Sequence, residues 1–123
     1  MPTLAIQLRA ASKDRLLVVF FLLSVLVFTA DVALLLWKIP AIGAEQNVIA
    51  LHYNVFFGVD RTGSWQMAFV APLVGAIVIL VNAVLAVRLH AAERFVARAC
   101  AVNAILVNGF LVAGSLFLIL ANL

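Results

Sequence analysis

The chain has 123 residues, of which 67% are hydrophobic and only 11% charged, with a mean hydropathy of +1.26. A water-soluble domain carries roughly 25% charged residues, and burying so much apolar surface in water would need a far larger globule, so the expected solvent is lipid. The formal charge of +3 comes from basic residues scattered along the chain, which argues against a nucleic-acid patch, and the lone Cys100 excludes an intrachain disulfide or a cysteine zinc cluster.

The N-terminal stretch carries Arg9, Lys13 and Arg15 ahead of a long apolar run. That is the layout of a secretory signal or of an uncleaved span. Phe28-Thr29-Ala30 lacks the small residue a cleavage site wants three positions back, and apolar residues continue to Trp37, so an uncleaved span over 16–37 is expected. At ~1.5 Å of rise per residue this run crosses a ~30 Å hydrocarbon core with a little tilt. The segment Ile39-Pro40-Ala41-Ile42-Gly43 should break the helix cleanly.

The connection over 38–66 is too long for a passive link between neighbouring helices. Within it Ile49, Leu51, Tyr53, Val55 and Phe57 alternate with Ala50, His52, Asn54 and Phe56. This pattern reads as an extended stretch with one apolar edge, ended by turn chemistry at Gly58-Val59-Asp60 and Thr62-Gly63. So much apolar surface is expected to lie on the membrane surface, on the helix ends or against a partner.

His52 and Asp60 are placed to pair, and histidine is the usual acid–base residue at neutral pH. No nucleophile elbow surrounds Ser64, and Glu45, His52 and Asp60 have no metal-ligand spacing. The expected role is structural. Gly63 would take a left-handed backbone conformation, Asp60 would cap the turn's amides and His52 would close it from the extended stretch. Neither an enzyme nor a bound cofactor or metal is expected.

A second span is expected over 67–87, entered through Trp65, and a third over 95–121. Only RLHAAER separates them, the tight turn of two antiparallel helices. Backbone polar groups in lipid need partners within their own segment, so these runs are helices. Arg9, Lys13, Arg15, Arg88, Arg94 and Arg98 fall on one side and Lys38 and Arg61 on the other. The excess puts the N-terminus in the cytoplasm and the C-terminus outside. Trp37 and Trp65 stand at the opposite interface, where tryptophan is enriched.

Small and polar residues recur on helical stripes: Ala71, Gly75, Asn82 and Ala86 in the second span, Ala97, Ala101, Ala104, Asn108 and Ser115 in the third, and Ser24, Asp31 and Lys38 in the first. Such stripes let helices approach and bond across their contacts. Asp31 is the one carboxylate inside a span. Its insertion costs about 2.5–3.5 kcal/mol, so it should face the bundle or a wet crevice. Equal depths in antiparallel helices bring it near Gly75 and Ser115, with Asn82 and Asn103 meeting at a deeper level.

The stretch LHYN followed by VD and G resembles the short domain of unknown function in bacterial membrane proteins related to toxin-immunity proteins, whose loop reads like IPxHFNxxGxxDxxG. Ile49, Leu51, His52, Tyr53 and Asn54 match its first part, and Asp60 and Gly63 follow His52 by eight and eleven residues, as in that pattern. Ala50 stands where the family has proline, and Gly58 is one residue late. The chain is similar also to short three-span bacterial membrane proteins without an assigned role. The resemblance implies a bacterial inner-membrane protein with an outer loop motif of His52, Asn54, Gly58, Asp60 and Gly63, and a role in immunity or sensing.

The expected architecture is thus a single all-α membrane domain over 1–123, a bundle of three transmembrane helices with an extracytoplasmic loop between the first two. Its partners would be the lipid bilayer and either a second copy or another membrane protein, not nucleic acid. Two functions are open: a subunit or interaction protein working through the loop, or part of a proton or ion pathway built on Asp31, with Asn82, Asn103 and Asn108 as the other intramembrane polar groups.

Overall fold

The computed structural model describes residues 2–123. A short helix, α1 (Leu4–Ser12), turns at Lys13 and Asp14 into the long helix α2 (Arg15–Glu45). A hairpin of β1 (Ile49–Asn54) and β2 (Gly58–Gly63) follows, then a 3-10 turn (Trp65–Phe69) that runs into α3 (Val70–Leu89). The turn at residues 90–93 leads into α4 (Arg94–Leu120). The three long helices are apolar enough and long enough to cross a membrane. Their interior partner is mainly α4, which packs along both α2 and α3.

Two expectations about secondary structure hold only in part. The chain is not all-α, because Ile49–Asn54 and Gly58–Gly63 pair as an antiparallel hairpin. Each strand can satisfy its inward-facing amides only with a partner, and the second strand, GVDRTG, carries too little apolar alternation to announce itself. The first helix also does not end at Ile39-Pro40. It continues through Pro40 and Gly43 to Glu45. Proline removes one backbone donor, at a cost of about 3 kcal/mol in a helix interior. That cost is offset by packing, because Ile39 and Ile42 on this last stretch are buried with Leu35, Ile49, Ala68 and Ile119. Gly43 permits the fit, since a side chain there would run into the Trp65 ring.

The interior has apolar ends and a polar middle. Ala11, Leu17, Ala86, Ala97 and Ala101 form a small cluster at the α1 end, and the Ile39 cluster lies under the hairpin. Between them Ser24, Asp31, Gly75, Asn82, Ala104, Asn108 and Ser115 are buried, so the inward stripes consist largely of small or polar side chains. Asn108 Nδ2 donates to the Ala104 carbonyl at 2.9 Å and to the Gly75 carbonyl at 3.4 Å, tying α4 to α3 where Gly75 lets the backbones close. Large apolar side chains such as Leu22, Leu26 and Leu80 are exposed on the outer faces of the long helices. The two tryptophans differ. Trp37 is exposed with the Lys38 Nζ 4.1 Å from its ring centre, whereas Trp65 is half-buried and edge-on to Phe69.

Candidate functional site

The hairpin is the part of the fold that most resembles a built site. Its stem is clamped at one corner: Asn122 Nδ2 donates to the Ala50 carbonyl and its Oδ1 accepts from the Ala50 amide, both at 2.7 Å. A side chain that donates and accepts like a neighbouring peptide acts as one more rung on the β1 edge. Gln46 Nε2 donates to the Asn122 carbonyl at 3.3 Å, and Ile49 is fully buried beneath.

The register pairs Ala50 with Thr62, His52 with Arg61 and Tyr53 with Val59, leaving Leu51 and Asp60 as unmatched residues on opposite strands. Bulges of this kind re-aim side chains. Here the Asp60 carboxylate reaches His52, whose Nδ1 lies 2.6 Å from Oδ1. The same bulges destroy the strict alternation expected of the strand, so Ile49 is buried and Tyr53 faces out. At the turn, Asn54 Oδ1 accepts from the Phe56 amide at 2.8 Å, and Gly58 has φ +75°, which favours glycine.

Gly63 departs from its expected role. It has no left-handed backbone conformation and pairs with Ile49 at the strand end. Glycine is needed there for space, because a Cβ would press on the Leu51 and Met67 side chains. Likewise, Thr62-Gly63 is strand rather than turn.

Chemically the His52–Asp60 pair is open to solvent, with side chains 64% and 39% exposed. No third acid, histidine or cysteine converges on it among the described residues. The pair bridges the two strands. Beyond it the hairpin tip projects Val55, Phe56 and Phe57, which are 85%, 88% and 83% exposed. Between the hairpin, α4 and the start of α3 lies an open, apolar recess of about 770 Å³, with Leu51, Tyr53, Ala71 and Phe110 among its walls. Ser115 lines it too, and its buried hydroxyl has no hydrogen-bond partner.

Deeper in the bundle Asp31 is buried, and its Oδ1 also lacks a partner. Asn82 Nδ2 donates to the Val78 carbonyl at 2.8 Å, while its Oδ1 accepts from Asn103 Nδ2 at 3.3 Å.

The opposite end of the molecule holds a cluster that reasoning from sequence missed. Asp14 caps α2 by accepting from the Leu17 amide at 3.2 Å. Arg98 of α4 grips the same carboxylate with both arms, Nε at 3.0 Å and Nη2 at 3.2 Å, and His90 Nε2 donates to it at 3.2 Å. The Arg98 guanidinium beside Asp14 holds its carboxyl down to about 2, assisted by the Leu17 amide and His90 and opposed by burial. A signal for Asp14 was present, since an aspartate one residue ahead of a long apolar run is a helix-cap pattern. Nothing local marks His90 or Arg98 as its partners, because they lie 76 and 84 residues away.

No protein-family model, no curated protein and no solved structure matches the chain.

Proposed function

We propose that the chain is a small multi-pass membrane subunit whose hairpin docks onto another membrane or envelope protein, with the N-terminus cytoplasmic and the hairpin outside. The orientation rests on charge: Arg9, Lys13, Arg15, Arg88, Arg94 and Arg98 belong to the α1 end, and only Lys38 and Arg61 to the hairpin end. The docking role rests on one observation above the others. The tip residues Val55, Phe56 and Phe57 are bare, while the stem beneath them is clamped by Asn122 and the His52–Asp60 pair. A rigid stem holding an aromatic tip away from its own core spends little entropy on binding, and aromatic anchors dominate interfaces. The test is site-specific photocrosslinking in cells. A benzophenone amino acid at Phe56 should give a discrete protein adduct that one at the lipid-facing Leu80 does not. Lipid adducts alone at Phe56 would overturn the reading.

A second reading has its own observation. Asp31 is a buried carboxylate with one oxygen unpartnered, and the Ser115 hydroxyl is unpartnered too. Intramembrane acids of this kind mark proton and ion paths. Asp31→Asn should abolish proton flux into liposomes if the chain conducts, and should leave assembly and crosslinking intact if it is a docking subunit.

A further inference from the structure

At the α1 end, Lys13, Arg15, Arg94 and Arg98 surround a recess of about 290 Å³, with His90, Asp14 and Leu16 also in its wall. This volume lies close to the lower bound of ligand pockets, roughly 300 Å³. Four cations therefore face one carboxylate. Asp14 is already committed, because its two oxygens accept from Leu17, His90 and both arms of Arg98. Arg98 is committed with it. Lys13, Arg15 and Arg94 form no ion pair with any described carboxylate. Helix α4 begins at Arg94 with no side chain capping its first amides, and an uncapped N-terminus attracts anions. Positive charge in the wall of the recess thus exceeds negative charge.

Its depth narrows the choice of anion. Leu16, in the wall, opens the apolar run of α2, and the neighbouring α1 exposes Leu4, Ile6 and Leu8. Apolar side chains exposed on a short surface helix are at home at the boundary between headgroups and acyl chains. With α1 at that boundary, the recess would open at the level of the lipid phosphates. We propose that it binds a phosphate group at the bilayer surface, with Lys13, Arg15 and Arg94 as ligands and the Asp14–His90–Arg98 network as its rigid floor. The phosphate can be borne by an anionic lipid headgroup or be free in solution. This site is independent of the hairpin and of its proposed partner.

The test uses the full chain purified in zwitterionic detergent, with phosphatidylglycerol, phosphatidylcholine or inorganic phosphate added in turn. Thermal unfolding and native mass spectrometry are the readouts. Phosphatidylglycerol should raise the unfolding midpoint saturably and remain bound in the mass spectrum, and phosphatidylcholine should do neither. Lys13→Gln combined with Arg94→Gln should raise the half-saturating concentration at least about tenfold, while Arg61→Gln, at the other end, should leave it unchanged. A second pair, Lys13→Gln with Arg15→Gln, should give the same shift, which guards against a folding defect in the first. Saturable binding of inorganic phosphate, lost in the same variants and without any phosphatidylglycerol effect, would keep the site and assign the free anion as its ligand. Wild-type protein that responds to neither, or paired variants that bind as tightly as wild type, would overturn the proposal.

Discussion

At Asp14 two oxygens accept four hydrogen bonds from three elements of the chain, so this residue joins α2 to the turn before α4 and to α4 itself. Asp14→Asn removes the charge and keeps the shape, and should lower stability by roughly 1–3 kcal/mol, measured by unfolding in mixed micelles at pH 7. The pH dependence has a definite sign. Folding holds the carboxyl at about 2 against an ordinary 3.8, so the unfolded chain takes up the proton first as pH falls. Its contribution is complete above 3.8 and disappears as pH falls through about 2. The gap between wild type and Asp14→Asn should close over that window. Gly75 is the second position where one atom decides the outcome. Even the Cβ of Gly75→Ala would crowd the Asn108 amide, and Gly75→Leu would part α3 from α4. Overpacking of this kind should cost about 1–3 kcal/mol in detergent. Gly75 could be found from sequence, because a small residue on a polar stripe has a helical period. Asp14 could be recognised only as a cap, because the partners that define it are remote in the chain.

At the scale of elements the hairpin is the part least open to reading from sequence. His52→Ala removes a solvent-exposed pair and Asn122→Ala removes two bonds from the buried edge of β1. Asn122→Ala should therefore loosen the hairpin more, seen as faster proteolysis around Phe56 and Phe57, with the three long helices still inserted. Equal protection in both variants would mean that apolar contacts around Ile49 alone hold the stem. The three long helices were legible because each is an unbroken apolar run of a length that suits a bilayer crossing. The persistence of α2 through Pro40 was not, because the burial of Ile39 and Ile42 that sustains it depends on Ile49 and Ile119 elsewhere in the chain. The second strand was hidden for a related reason: bulges at Leu51 and Asp60 erase the period-two pattern by which strands are recognised.

For the molecule as a whole, the segregation of charge makes a direct prediction. A cysteine introduced at Thr62, in a Cys100→Ser background, should react with a membrane-impermeant thiol reagent applied to intact cells, while one at Ala92 should be protected. The reverse labelling would invert the proposed orientation and put the hairpin in the cytoplasm. The polar middle and the two apolar ends of the bundle also divide its tolerance to change. Substitutions at outward-facing positions such as Leu80 or Leu26 should shift stability little, whereas the inward stripe should accept almost none.

The ties that close this fold at either end join residues 72 to 84 positions apart, Ala50 to Asn122 at one and Asp14 to His90 and Arg98 at the other. A ribosome delivering the chain from its N-terminus therefore releases α1, α2 and the hairpin long before their clasps exist. Two spans can enter the membrane, yet the hairpin must wait for α4 to arrive before its edge strand is secured. Nascent chains arrested after α3 should integrate and still be cut at the hairpin, and protection should appear only when Asn122 has left the exit tunnel. Maturation of the hairpin thus reports completion of the third span.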